Sequence, residues 1–213
     1  MLKYKKNKIK KEGTMKFLEN NLLFEETRRE RVYDGFLKID KLYFIQENVF
    51  GQWTDEFSRE VIYRRNAVVA LIIDPNTGNL LFTKQLRPGS YVQCEPWIYE
   101  MVAGLIDPGE DEITALKREA KEEAGVEELH NIKLISSYYP SAGGCTEKVS
   151  LYYAEADLSN MQKWGGHPEE NEIIELAVLT FEEAMAWLEQ GKIGTANGHV
   201  ALYWLLSQKL AAK

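Results

Sequence analysis

Residues 104–126 read GLIDPGEDEITALKREAKEEAGV. Ile113, Leu116 and Ala120 recur at intervals of three and four, which predicts a helix with one apolar face. Gly125 stands where a helix ends, because glycine takes the left-handed conformation at that point. Glu119, Glu122 and Glu123 are also three and four apart and therefore share a second face of the same helix. Like charges at that spacing repel by about 0.2–0.5 kcal/mol per pair, and no neighbouring side chain is expected to offset this. A divalent cation would, since carboxylate oxygens are hard donors that suit Mg2+ or Mn2+, often together with substrate phosphates. Gly104 and the Pro108-Gly109 turn let the chain fold tightly between a strand and this helix.

On either side of this stretch the pattern is that of strands. AVVALIID from Ala67 and LLFTKQLR from Leu80 flank the turn Asp74-Pro75-Asn76-Thr77-Gly78, which predicts a hairpin in a central sheet. Further strands are expected at IYEMVAGLI, NIKLISSYY, KVSLYYAEA and EIIELAVLT. Residues 31–46 and 57–65 mix aromatic and β-branched residues with charges, as expected of half-buried strands in a small N-terminal sheet. Thr180-Phe181-Glu182-Glu183 has the form of a capping box opening a second helix, which Gly191 ends. A third helix is expected over residues 195–210, with Leu202, Leu205, Leu206 and Leu210 as its buried side.

Composition narrows the function classes. The chain has 213 residues, 45% of them hydrophobic and 28% charged, which suits one sizeable domain or a domain with a smaller companion. Its net charge of -7 argues against a nucleic-acid surface, which needs clustered Lys and Arg. No apolar run is long enough to span a membrane. Residues 1–20 begin with a lysine-rich stretch that lacks a signal-peptide core, and they are expected to form a disordered basic tail. Cys94 and Cys145 have neither metal spacing nor a disulfide framework, which points to a reducing cytoplasm. His130, His167 and His199 are scattered and are read as surface or capping residues.

The joint pattern G-x5-E-x7-R-E-U-x-E-E-x-G-U, complete from Gly104 to Val126, resembles the box of the Nudix hydrolases. The similarity extends through YDGFLKID, FGQ, QLRPG, PWIYEMVAGLIDPGE, the loop at residues 141–147, Glu170-Asn171-Glu172 and the terminal helix, and it is nearest to the ADP-ribose pyrophosphatase branch. This resemblance implies an α+β fold, an α/β/α sandwich around a mixed central sheet, over residues 66–213. It also implies that residues 21–65 form a small antiparallel β region exchanged between the subunits of a homodimer.

The resemblance also implies roles. Glu119, Glu123, Glu122, the backbone carbonyl of Ala103 and Glu172 would hold Mg2+ or Mn2+. Glu170 is the candidate general base, with Glu122 also in the catalytic set. Arg118, with its planar fork, would brace Glu110 at the Gly104 end of the box. Arg87 matches a phosphate-contacting arginine and Glu147 a ribose- or phosphate-proximal acid. Arg59 lies one position from a second such arginine, the matching position being Ser58. Phe36, Trp53 and Phe57 are candidates to stack on a base, with packing the favoured fate of Phe36.

The activity implied is metal-dependent hydrolysis of the pyrophosphate bond of ADP-ribose, giving AMP and ribose 5-phosphate. Ser141-Ala142-Gly143 stands where that branch usually has Ser-Pro-Gly, so GDP-mannose or an ADP-sugar remains an alternative substrate. A non-catalytic module that senses ADP-ribose is the alternative from another class. It is disfavoured by the intact box glutamates and the lack of room for an effector domain.

Overall fold

A computed structural model describes residues 22–167, 169 and 171–211. The expected basic tail and the candidate base Glu170 lie outside the described residues. The elements in chain order are β1 (Phe24–Asp34), β2 (Lys38–Gln46), β3 (Phe57–Tyr63), β4 (Ala67–Ile73), β5 (Leu80–Leu86), α1 (Pro88–Tyr91), β6 (Trp97–Glu100) and β7 (Val102–Leu105). They continue with α2 (Glu112–Ala124), β8 (His130–Tyr138), β9 (Val149–Glu155), β10 (Trp164–Gly165), β11 (Ile174–Leu179), α3 (Phe181–Glu189) and α4 (Ala196–Ala211).

Every residue of β4 is buried, as expected of a strand covered on both faces. Its alternate residues enter two separate cores. Val68, Ala70 and Ile72 pack with Leu116, Ala120 and Ala124 of α2, whereas Val69, Leu71 and Ile73 pack with Ala184 and Leu188 of α3 and Ala201 and Leu202 of α4. The result is the expected α/β/α sandwich. The large sheet runs β10-β11-β5-β4-β9-β8 and is mixed, because β4 pairs with β9 in parallel and with β5 and β7 antiparallel.

The predicted hairpin is present, but its two strands separate after a single pair, Ile73 with Leu80. The fork is filled by the segment expected to be one strand at IYEMVAGLI. That segment breaks at Met101 into β6, which pairs with β5, and β7, which pairs with β4. This bend brings the start of the box against α2.

The stretch 31–46 is likewise two strands. Asp34-Gly35 turns the chain, Gly35 N–H donating to the Leu37 carbonyl at 3.1 Å, so β1 and β2 form a hairpin that with β3 makes a separate three-stranded sheet. Phe36, at the turn, is 94% exposed within the chain, so it does not pack in the core.

The helices follow their sequence signals closely. Asp111 caps α2 by accepting from the Ile113 and Thr114 N–H groups, and Gly125 closes it at φ 68°. The Thr180–Glu183 capping box is formed in full. In α4 the buried positions are Gly198, Ala201, Leu202 and Leu205. Leu210, in the last turn of α4, is 62% exposed, contrary to expectation.

Neither α1 nor β10 is apparent in the sequence. Short β10 matters because it lies on the C-terminal turn of α2, where Gly166 N–H donates to the Glu123 carbonyl at 3.0 Å. A Cβ on Gly165 would stand 2.1 Å from that same carbonyl oxygen. Gly165→Ala is therefore expected to cost about 2 kcal/mol and lower the Tm by about 5 °C in a thermal melt, since backbone rather than a flexible side chain must give way.

Candidate active site

The carboxylate face of α2, the bend between β6 and β7, and the end of β5 enclose a cleft of about 350 Å3. Ala103, Gly104, Glu119, Glu122, Glu123, Glu172, Arg87 and Arg118 all line it. The tertiary structure thus gathers residues spread over 86 positions, from Arg87 to Glu172, into one place.

Arg118 organises the α2 face. Its Nε and Nη2 donate to the two Glu110 oxygens at 3.0 Å each, its Nη2 also reaches the Leu105 carbonyl at 3.0 Å, and its Nη1 donates to Glu119 at 2.7 Å and Glu122 at 3.0 Å. The repulsion expected to go uncompensated on this face is therefore partly offset within the helix itself. The fork holds Glu110 as expected, and the guanidinium keeps the Glu110 carboxyl below its usual range.

Glu119 crosses directly over Gly104. A Cβ on Gly104 would stand 1.8 Å from the Glu119 carboxyl carbon, so a side chain at 104 would force Glu119 out of this position.

Glu123 is the most buried of the three helix carboxylates, at 3% exposure. It accepts hydrogen bonds from the Ala103 N–H at 3.1 Å and from Gln85 Nε2 at 3.0 Å. Both donors are neutral. Burial pushes its pKa up to about 8, and the charges of Glu119 and Glu172 push the same way. Burial also raises Glu119, against the opposing pull of Arg118.

Glu123, with Glu119 beside it on the same helix face, is buried with neutral partners and has raised proton affinity, which makes it a donor that suits a hard divalent cation. Glu119, Glu122, Glu123, Glu172 and the Ala103 peptide are the groups that would hold it. Among the described residues, no three acidic, His or Cys side chains already converge as a preformed ligand set.

Opposite these acids, Arg87 donates from Nε to Glu100 at 2.5 Å. Burial opposes the Arg87 charge, but the Glu100 carboxylate more than compensates and raises its pKa.

The remaining substrate candidates are not brought to this cleft within one chain. Phe57 packs on Phe44 with centroids 6.0 Å apart, and Arg59 lies 4.9 Å over the Phe57 ring. Glu147 faces Arg64 at 3.5 Å. Trp53 bridges to Glu47 beside β2.

Arg65, Asp107 and His167 line the cleft without having been read from sequence as site residues, and neither were Gln85 and Glu100, which bond to Glu123 and Arg87. Gln85 was legible in principle, since it is two residues from Arg87 on a strand and so shares its face. His167 corrects the expectation of a surface histidine, for it lines the cleft and its Nδ1 is buried with no hydrogen-bond partner among the described residues. His199 lies in the first turn of α4, its Nδ1 2.9 Å from the Thr195 carbonyl. A second cleft of about 400 Å3, near Gly125 and Met161, is lined by Glu127, Glu128, Asp157 and His130 without Lys or Arg, a charge balance that disfavours a phosphate.

Residues 63–197 match the family model described as the NUDIX domain. The chain belongs to the Nudix family. It is 37% identical over 187 residues to an ADP-ribose pyrophosphatase of Escherichia coli strain K12, covering 87% of this chain and 88% of that protein. Identity to an ADP-ribose pyrophosphatase of Haemophilus influenzae is 29%, over 83% of this chain and 82% of the relative. Identity to a GDP-mannose pyrophosphatase of Cronobacter sakazakii is 30%, over 73% and 84%. The chain is accordingly a Nudix hydrolase. In this Nudix protein, as elsewhere in the described residues, no helix is long and apolar enough to cross a membrane.

The Glu123 carboxyl makes stability depend on pH in a defined direction. Its ordinary pKa is 4.5 and its folded value about 8, so between these values the folded protein holds a proton that the unfolded chain has released. Stability of the metal-free protein should therefore fall as pH rises from about 4.5 to about 8. Thermal melts should show a shallower decline for Glu123→Gln, and added Mg2+ should raise the wild-type Tm more at pH 8 than at pH 6.

Proposed function

We propose that this Nudix hydrolase cleaves the pyrophosphate bond of ADP-ribose, giving AMP and ribose 5-phosphate, with Mg2+ or Mn2+ held at Glu119, Glu122, Glu123, Glu172 and the Ala103 carbonyl. The observation that carries the reading is the buried Glu123 carboxyl, whose partners are neutral, in a cleft that Arg87 also lines. Relatives named ADP-ribose pyrophosphatase, which the chain matches along most of its length, support the choice of substrate.

A bound divalent cation neutralises phosphoryl oxygens and lowers the pKa of water. The protein groups then have separate tasks. Arg87 offers the part of its guanidinium not used by Glu100 to the diphosphate, a geometry suited to phosphate oxygens. Glu170 takes a proton from the attacking water, with Glu122 in the same catalytic set. Oxygen from that water bonds to one phosphorus, the bridging P–O bond breaks, and two phosphate monoesters leave. Glu147, Arg59 and Phe57 contact the nucleoside or ribose only if a second subunit brings them to the cleft.

We infer such a homodimer, formed through residues 21–65. The supporting feature is the run of exposed apolar side chains on the N-terminal sheet, Phe24, Val32, Tyr33 and Phe36 among them. The free cysteines Cys94 and Cys145 suit a cytoplasmic location. GDP-mannose is the second substrate to consider, because relatives of that name match at about 30% identity.

Incubation with ADP-ribose and Mg2+ should release AMP. A clearly higher kcat/KM for GDP-mannose would overturn the substrate choice, and binding without any product would overturn the enzymatic reading. Glu119→Gln combined with Glu123→Gln is expected to lower kcat by about 100-fold or more, as expected when a metal's charge stabilisation is removed. Glu170→Gln should lower kcat by about 100-fold with little change in substrate affinity, as loss of a general base does. Near-normal turnover in either variant would reject its assignment, and a monomer by light scattering would reject the dimer.

A further inference from the structure

The cleft contains three guanidiniums, and they are not equally committed. Arg118 is fully engaged by Glu110, Glu119, Glu122 and the Leu105 carbonyl. Arg87 is tied at Nε to Glu100, whose side chain is only 7% exposed, so releasing it would strand a buried carboxylate. Arg65 differs from both. Among the described residues its guanidinium hydrogen-bonds only to Asp107, and both side chains are about half exposed, at 46% and 57%. Exposed pairs of this kind hold their partners weakly, so a more highly charged anion can displace the carboxylate.

The backbone around this pair is fixed. Arg64 N–H donates to Thr146 Oγ1 at 3.0 Å, Ile106 N–H to the Asn66 carbonyl at 2.9 Å, and Asp107 N–H to Glu110 at 3.0 Å. Exchange of partners therefore needs only side-chain rotation. The cleft is otherwise dominated by carboxylates, which would repel a diphosphate, and a half-exposed guanidinium paired only with an exposed acid adds attraction beyond what Arg87 offers.

We infer that Arg65 is a substrate-positioning residue that Asp107 holds in reserve, and that its guanidinium leaves Asp107 for the non-bridging oxygens of the substrate diphosphate. The inference rests on the nucleoside diphosphate reading of the cleft given above. Asp107 is then a competitor of the substrate, and this distinguishes the arrangement from a purely structural ion pair, in which loss of either partner does similar harm.

The test is calorimetric titration with the α,β-methylene analogue of ADP-ribose in the presence of Mg2+, using wild type, Arg65→Gln, Asp107→Asn and the double variant. Arg65→Gln should raise Kd about tenfold, as expected for loss of a charged phosphate contact. Asp107→Asn should lower Kd about threefold by freeing the guanidinium from a weak exposed pair. The double variant should match Arg65→Gln, because Asp107 acts only through Arg65.

A Kd for Arg65→Gln within about twofold of wild type, or weaker binding by Asp107→Asn, overturns the inference. If Arg65→Gln fails to fold by thermal melt, the direction of the Asp107→Asn change decides alone. Hydrolysis of ADP-ribose without the expected pattern in Kd defeats only the role of Arg65. The expected pattern without hydrolysis defeats only the proposed activity.

Discussion

Arg118 holds together the local geometry on which the cleft depends. Its guanidinium joins the end of β7, through the Leu105 carbonyl, to Glu110 in the turn and to Glu119 and Glu122 on α2. A lysine could not do this, since one ammonium lacks the planar fork that meets Glu110 with two parallel bonds. Because those bonds fix the turn, the helix starts at Asp111 in a set orientation. Two of its acids, Glu119 and Glu123, then turn in against β7 and β5, while Glu122 keeps contact with solvent. Gly104 completes the arrangement by leaving room for the Glu119 side chain to cross the strand.

The electrostatics follow from that packing. A carboxylate on an exposed helix surface keeps its charge without difficulty, because water solvates it. Glu123 instead lies beneath the sheet with two neutral donors, and burial raises its affinity for a positive partner, whether proton or metal. The mixed sheet makes the site possible by diverging. The fork between β4 and β5 admits the bend at Met101, after which β7 brings Ala103 into the cleft while β6 carries Glu100 to its pairing with Arg87. Strands paired along their full length would leave no such space.

The contrast among the arginines has the same origin. Arg87 faces a buried carboxylate and Arg118 is shared among three carboxylates and a backbone carbonyl, so their pairings are hard to undo. Arg65 faces an exposed acid at the edge of the cleft, where water and incoming anions compete. Solvent access to the partner, more than the identity of the cation, separates a structural pair from an exchangeable one.

The sequence by itself determined the helix α2 with both its caps, the capping box of α3, the doubly covered strand β4 and the acidic face, because each depends on residues close together in the chain and on fixed helical or strand periodicity, whereas the Arg118–Glu110 brace was implied by the family resemblance. The Asp34-Gly35 turn was also written there, although the stretch 31–46 reads as one continuous strand. Tertiary structure alone decided the split of residues 97–105 at Met101, the short β10 against α2, and the convergence of Arg65, Arg87, His167 and Glu172 on one cleft. Those outcomes depend on how the sheet twists and which strands part, and on contacts between residues far apart in the chain, where no local period carries the information.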